Sequence, residues 1–219
     1  MPFSFHTFAV CCVALSSLCS SALADTFRVV SLSQIPGLTS LEFIHEGKVE
    51  TVPVSLSSFS QPYPIPATRE LALYAQAPSP NEEKTPNLVL QFSENSGDVI
   101  VLLKATNTAN GPAYRYELLD DSTRAFPAGS VYICNYLQEP VIIRLGPKQV
   151  LVESNDRSVV PLTRKEQPFN DGVAFAAEIN GHGRVFSTSS WYLSPSMKIF
   201  CIIFQDQHGN PQIRRIRLT

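Results

Sequence analysis

The chain has 219 residues, is 44% hydrophobic and 16% charged, and carries a formal net charge of -2. Its 17 basic and 19 acidic side chains are mixed along the sequence, which excludes the strong basic bias of a nucleic-acid binder and the acidic low-hydrophobicity signature of a disordered chain. A chain of this size buries enough surface for an ordinary hydrophobic core without stapling.

The amino terminus reads as an export leader. Phe8 to Leu18 (FAVCCVALSSL) is a short apolar run leading to Ala22-Leu23-Ala24, a small-x-small cleavage pattern, with Asp25 next. The run falls short of the roughly 20 apolar residues that span a bilayer, so residues 1–24 are expected to be a signal peptide. The segment before the run lacks Lys and Arg, and a cytosolic chain with a buried first element is the competing reading. Export leaves Cys134 and Cys201 as the only cysteines of the mature chain. They allow one disulfide between neighbouring strands, or two buried thiols.

After the leader, short apolar runs alternate with Pro, Gly, Asn, Asp and Ser. Phe27–Leu32 and Leu41–Ile44 are the first candidate strands, and Glu46-Gly47-Lys48 turns the chain into Val49–Leu56. The stretch QPYPIP (61–66) has three prolines and is excluded from any central strand, since proline lacks the ladder donor. Arg69–Gln76 follows, then the loop APSPNEEKTPN (77–87). Leu88–Phe92 and Val99–Lys104 flank SENSGD as a hairpin, and VIVLL is apolar on both faces, as a strand between two layers is. ATNTANGP (105–112) reads as the next break.

Tyr114–Leu118 alternates, and Val131–Tyr136, Val141–Leu145, Gln149–Glu153 and Ser158–Leu162 continue the pattern. Val173–Ile179 and Gly183–Trp191 flank Asn180-Gly181, a favoured hairpin pair. Lys198–Gln205 and Gln212–Leu218 close the chain, the last with Arg215 and Arg217 on one face and Arg214 on the other, a charge-guarded edge strand. The expected fold is all-β: an antiparallel β-sandwich, immunoglobulin-like or jelly-roll-like, of roughly twelve strands. Residues 25–219 form either one extended sandwich or two packed sandwiches, 25–109 and 110–219; no internal sequence repeat supports a duplication.

No catalytic motif stands out. There is no G-x-S-x-G elbow, H-E-x-x-H, EF-hand loop or C-x-x-C, so no cofactor, metal or catalytic residue is assigned. His45, His182 and His208 lie at strand ends or turns, Asp120-Asp121 precede a turn, and Glu178 follows an apolar run. A hydrolase would have to assemble its site from such loops. Tyrosines offer large contact area at small entropic cost, which makes Tyr114, Tyr116, Tyr136 and Tyr192 the candidate binding residues. The expected function is that of an exported, non-catalytic binding or structural protein, periplasmic or secreted. Its partner would be another protein or an envelope or extracellular glycan, with no nucleic acid and no transmembrane segment in the mature chain. A loop-assembled hydrolase and a carbohydrate-binding module are the alternatives.

If the leader is cleaved as expected, intact-mass and N-terminal sequencing of protein from its native compartment begin at Asp25; a chain starting at Met1 contradicts export.

Overall fold

The computed structural model describes residues 25–79, 82–108, 111–162, 167–179 and 181–218, so the leader expected over residues 1–24 lies outside the described residues. Within them the chain is all-β and contains no helix; none is therefore long and apolar enough to cross a membrane. The first eight strands are β1 (Thr26–Ser31), β2 (Ser40–His45), β3 (Lys48–Pro53), β4 (Tyr63–Pro64), β5 (Glu70–Leu73), β6 (Leu88–Gln91), β7 (Val99–Thr108) and β8 (Gly111–Asp120). The next eight are β9 (Ser130–Asn135), β10 (Val141–Leu145), β11 (Lys148–Val152), β12 (Arg157–Pro161), β13 (Phe169–Ile179), β14 (His182–Leu193), β15 (Lys198–Gln205) and β16 (Pro211–Leu218).

The two sets repeat one topology. The first builds a sheet in the order β4-β1-β7-β8, and the second builds β12-β9-β15-β16, each label advanced by eight. The remaining strands match too. Hairpins β2-β3 and β5-β6 meet at a two-way backbone bridge between Glu42 and Tyr74, while the second set forms β11-β10-β13-β14. Register agrees closely: Phe27 lies beside Val99 as Val131 lies beside Ile199, and Thr26 pairs Pro64 as Ser130 pairs Pro161. The two prolines sit on edge strands, where the missing donor costs no ladder bond. The repeat divides the described chain between Asp120 and Ser130. The 105–112 stretch expected as a break carries β7 on to Thr108 and starts β8 at Gly111, and β8 pairs β7 along its whole length. A cut at 109/110 would split this hairpin.

Two further differences from expectation have physical causes. Two of the sheets, β4-β1-β7-β8 and β12-β9-β15-β16, are mixed rather than antiparallel: β1 runs parallel to β7, and β9 to β15. A parallel pair needs a crossover connection, and the intervening strands in the other sheet of each set supply it. The sixteen strands among the described residues exceed the expected number partly because the proline-rich stretch still contributes β4 at an edge.

Alternation along the strands sorts the core into three clusters. Phe27 and Val29 of β1, with Val101 and Leu103 of β7, join Leu41, Phe43, Leu73 and Leu90 of the two hairpins. Ile133 of β9 and Cys201 of β15 join Val141, Ile143 and Phe175. The opposite faces of these same strands, Val30, Ile100 and Leu102 from the first set and Tyr132, Cys134, Phe200 and Ile202 from the second, form one shared cluster. The β4-β1-β7-β8 and β12-β9-β15-β16 sheets are thus apolar on both faces.

Polar contacts lock this junction. The linker carries the fully buried Phe126 into the shared cluster, with its ring 5.3 Å from that of Tyr132. Lys198 donates to the Asp121 carboxylate at 2.9 Å and to its backbone oxygen at 3.0 Å. From β16, Arg214 donates to the backbone oxygens of Ser31 and Leu32 at 3.0 and 2.9 Å. Gly129 has φ +71°, and a Cβ there would lie 2.7 Å from the Pro195 backbone oxygen, so only glycine fits the entry to β9.

Ile202 is fully buried in the shared cluster. Ile202→Ala is expected to cost about 2–5 kcal/mol and to lower the stability of both strand sets together. Urea unfolding followed by far-UV circular dichroism should show one shifted transition; a second-set transition moving alone contradicts the shared core.

Candidate binding surface

Three of the four tyrosines singled out by sequence serve the interior. Tyr114 is buried, and its hydroxyl accepts the Ile35 N–H at 3.1 Å. The Tyr116 hydroxyl accepts the Gln91 N–H at 3.0 Å, covering the free edge of β6. Tyr136 donates to Glu117 at 2.6 Å, and Glu117 also pairs with Arg157. Burial, with the neighbouring Cys134 thiol, pushes the Tyr136 phenol well above its ordinary range. Tyr192 alone is open, at 44% exposure, with the Arg217 guanidinium 5.9 Å from its ring centre. The four do not form one platform.

The polar candidates are also dispersed. Asp120 accepts the Ser122 N–H in a turn, and Asp121 is the buried partner of Lys198. Asp206 accepts the backbone N–H groups of Asn210 and His208, which hold its carboxyl below the usual range. His45 closes β2 beside the Phe43 ring, and His182 opens β14, exposed. Glu178 and His208 do come together with Glu139 and Arg184 on one cleft of about 520 Å³ beside the β15–β16 turn. Glu178 and His208 are both exposed there. Among the described residues no group of three or more His, Cys, Asp or Glu side chains is placed to hold a metal ion.

The cysteines settle on opposite sides of one sheet. Cys134 pairs with Ile202 in register and faces the shared cluster, whereas Cys201 pairs with Ile133 and faces the second set's own core. Both thiols are free and buried. Neighbours on adjacent strands that point to opposite faces have diverging Cβ vectors, which a disulfide does not tolerate. The bond allowed by the sequence is absent, and burial pushes both thiols up to about 12.

The surface that sequence reading missed is the outward face of the β11-β10-β13-β14 sheet. Leu151, Ile142, Ala176 and Val185 stand in register across all four strands. Leu151, Ile142 and Val185 are 55%, 41% and 57% exposed. Toward the β10–β11 turn this row adjoins a shallow depression of about 510 Å³ lined by Arg144, Gly146, Gly172, Ala174 and Thr188. The corresponding face of β2 and β3 exposes one apolar pair, Ile44 opposite Val49. Only the pairing of four separate strands brings the row together, although the alternation VIIRL marks Ile142 as outward-facing.

No protein-family model matches the chain, and no curated protein matches it closely enough to count as a relative.

Alkylation of residues 25–219 in denaturant without reductant should label two thiols. At pH 8 the native protein should resist labelling, because the thiolate is the reactive form and both groups titrate far above that pH. Labelling of two thiols only after reduction contradicts the geometry.

Proposed function

We propose that the chain is an exported, non-catalytic binding protein of the periplasm or extracellular space. In this reading each set of eight strands is a β-sandwich, immunoglobulin-like or jelly-roll-like, and the second presents its outer sheet to a partner protein. The observation that carries it is the exposed row Leu151–Ile142–Ala176–Val185. Contiguous exposed apolar surface on a soluble domain is a hallmark of an interaction site. The short apolar run and small-x-small site before Asp25 support export.

The row's chemistry favours a protein over a glycan. Its members are aliphatic and bordered by Arg144 and Gln149, whereas a sugar platform wants aromatic faces aligned along a groove. Tyr114, Tyr116 and Tyr136 are already engaged inside the fold. In the cleft with Glu139, Glu178 and His208, Glu178 and His208 are exposed and Glu139 is half-buried.

A photo-crosslinking side chain placed at Leu151 in the expressing cells should yield a defined protein adduct that Ile142→Glu abolishes. Thr51 occupies the equivalent place in the first set, opposite Glu42, and the same probe there should give none. Equal adducts at both positions, or none at Leu151, contradict the reading.

A further inference from the structure

The repeat makes position-by-position comparison of the two sets possible, and the sets differ at one edge. On the same side of each set, one sheet ends in β6 or β14 and the other in β8 or β16. In the first set, β8 turns Tyr116 and Leu118 toward the core, and the Tyr116 hydroxyl takes the outward N–H of Gln91 on β6. Register through Leu103 and Ile203 puts Ile213 where Tyr116 stands, and register through Val101 and Cys201 puts Arg215 where Leu118 stands. One step further, Arg217 stands in the place of Asp120. The second set has therefore lost the hydroxyl that covers the edge and gained two guanidinium groups facing it.

Those two groups are under-used. Arg215 lies 5.0 Å from the Trp191 ring centre and Arg217 lies 5.9 Å from that of Tyr192, so both reach from β16 to β14. The Arg215 Nη1 is buried with no hydrogen-bond partner among the described residues, a state that costs free energy until an acceptor arrives. Neither arginine takes an ion pair among the described residues. Beside them, β14 is an outer strand whose stretch Ser187–Leu193 (STSSWYL) carries no charge, proline or glycine. The devices that guard a sheet edge are missing from it. The register shift between Phe175 and Ala176, which skips Phe186, bounds this stretch at its Ser187 end, and pairing resumes beyond it at Val185.

We propose that the Ser187–Leu193 edge of β14 accepts an extended segment of a partner protein as a fifth strand. The segment's acidic side chains, at alternate positions, meet Arg215 and Arg217. Residues two apart on a strand project to one face about 7 Å apart, which is the spacing that Arg215 and Arg217 have on β16. Backbone pairing supplies affinity and the alternate carboxylates supply selectivity, as in other strand-addition interfaces. The site is separate from the outer-face row, and either can fail without the other.

The test uses the mature chain and a fluorescent, end-capped seven-residue peptide alternating glutamate and valine, read by anisotropy. Trp191, the chain's single tryptophan, reports contact independently. The glutamate peptide should bind roughly tenfold more tightly than its glutamine counterpart, and N-methylation of its pairing amides should abolish binding. Arg217→Gln, at an exposed position, should remove most of the preference while leaving the circular dichroism spectrum unchanged, and Arg215→Gln should remove it and change the Trp191 signal. Equal binding of the two peptides, no binding up to millimolar concentration, or full preference retained in Arg217→Gln overturns the proposal. So does a concentration-dependent dimer formed through this edge that the acidic peptide does not displace.

Discussion

The apolar cluster shared by β1, β7, β8, β9, β15 and β16 is the constraint from which the other features follow. A strand that packs on both faces has no side for water, so its whole length must be apolar. β7 begins with five consecutive buried residues and β15 has five in succession. Charged groups that enter this region are paired: Asp121 with Lys198, and Arg214 with the Ser31 and Leu32 oxygens. Asn135 ends β9 fully enclosed, donating to the oxygens of Glu139, Val152 and Glu153 and accepting the Leu137 N–H. Ser31 ends β1 in the same way, bonded to the Ser33 and Leu103 oxygens. Each set closes its central strand with a buried polar residue that ties a loop down.

Because equivalent faces of the two sets meet at this cluster, the surfaces left over are their outer sheets and edges. There the sets have diverged. The first keeps its β6 edge covered through Tyr116 and exposes a single apolar pair on β2 and β3. The second exposes a row across four strands and an uncovered β14 edge. In the proposed reading, the second half of the duplicated topology is the one that meets a partner.

The features legible in the sequence were those written into single strands. VIVLL and IFCIIF announce buried central strands because no residue in them tolerates water, and both are central. Alternation placed Arg214 on one face of β16 and Arg215 with Arg217 on the other, and the core clusters bear that division out. Relations between strands were not legible. The parallel pairs depend on crossovers whose ends lie seventy residues apart. The repeat is hidden because equivalent positions hold dissimilar chemistry: Phe27 and Val131, Ser31 and Asn135, Tyr116 and Ile213. The tyrosines misled for a similar reason, since a phenol on an alternating strand looks the same whether its hydroxyl meets water or the N–H of Ile35 or Gln91. The apolar row on the outer sheet takes one residue from each strand, too few to register in any one of them.

Native-state hydrogen exchange resolved to single amides tests the account most directly. If the two sets share one core and differ at one edge, the paired amides of β1, β7, β9 and β15 exchange together, only through global unfolding. The outward amides of Ser187–Leu193 on β14 exchange far faster, while the Gln91 amide on β6 is protected. Separate exchange of β9 and β15 from β1 and β7, or protection of the β14 edge equal to that of Gln91, would contradict it.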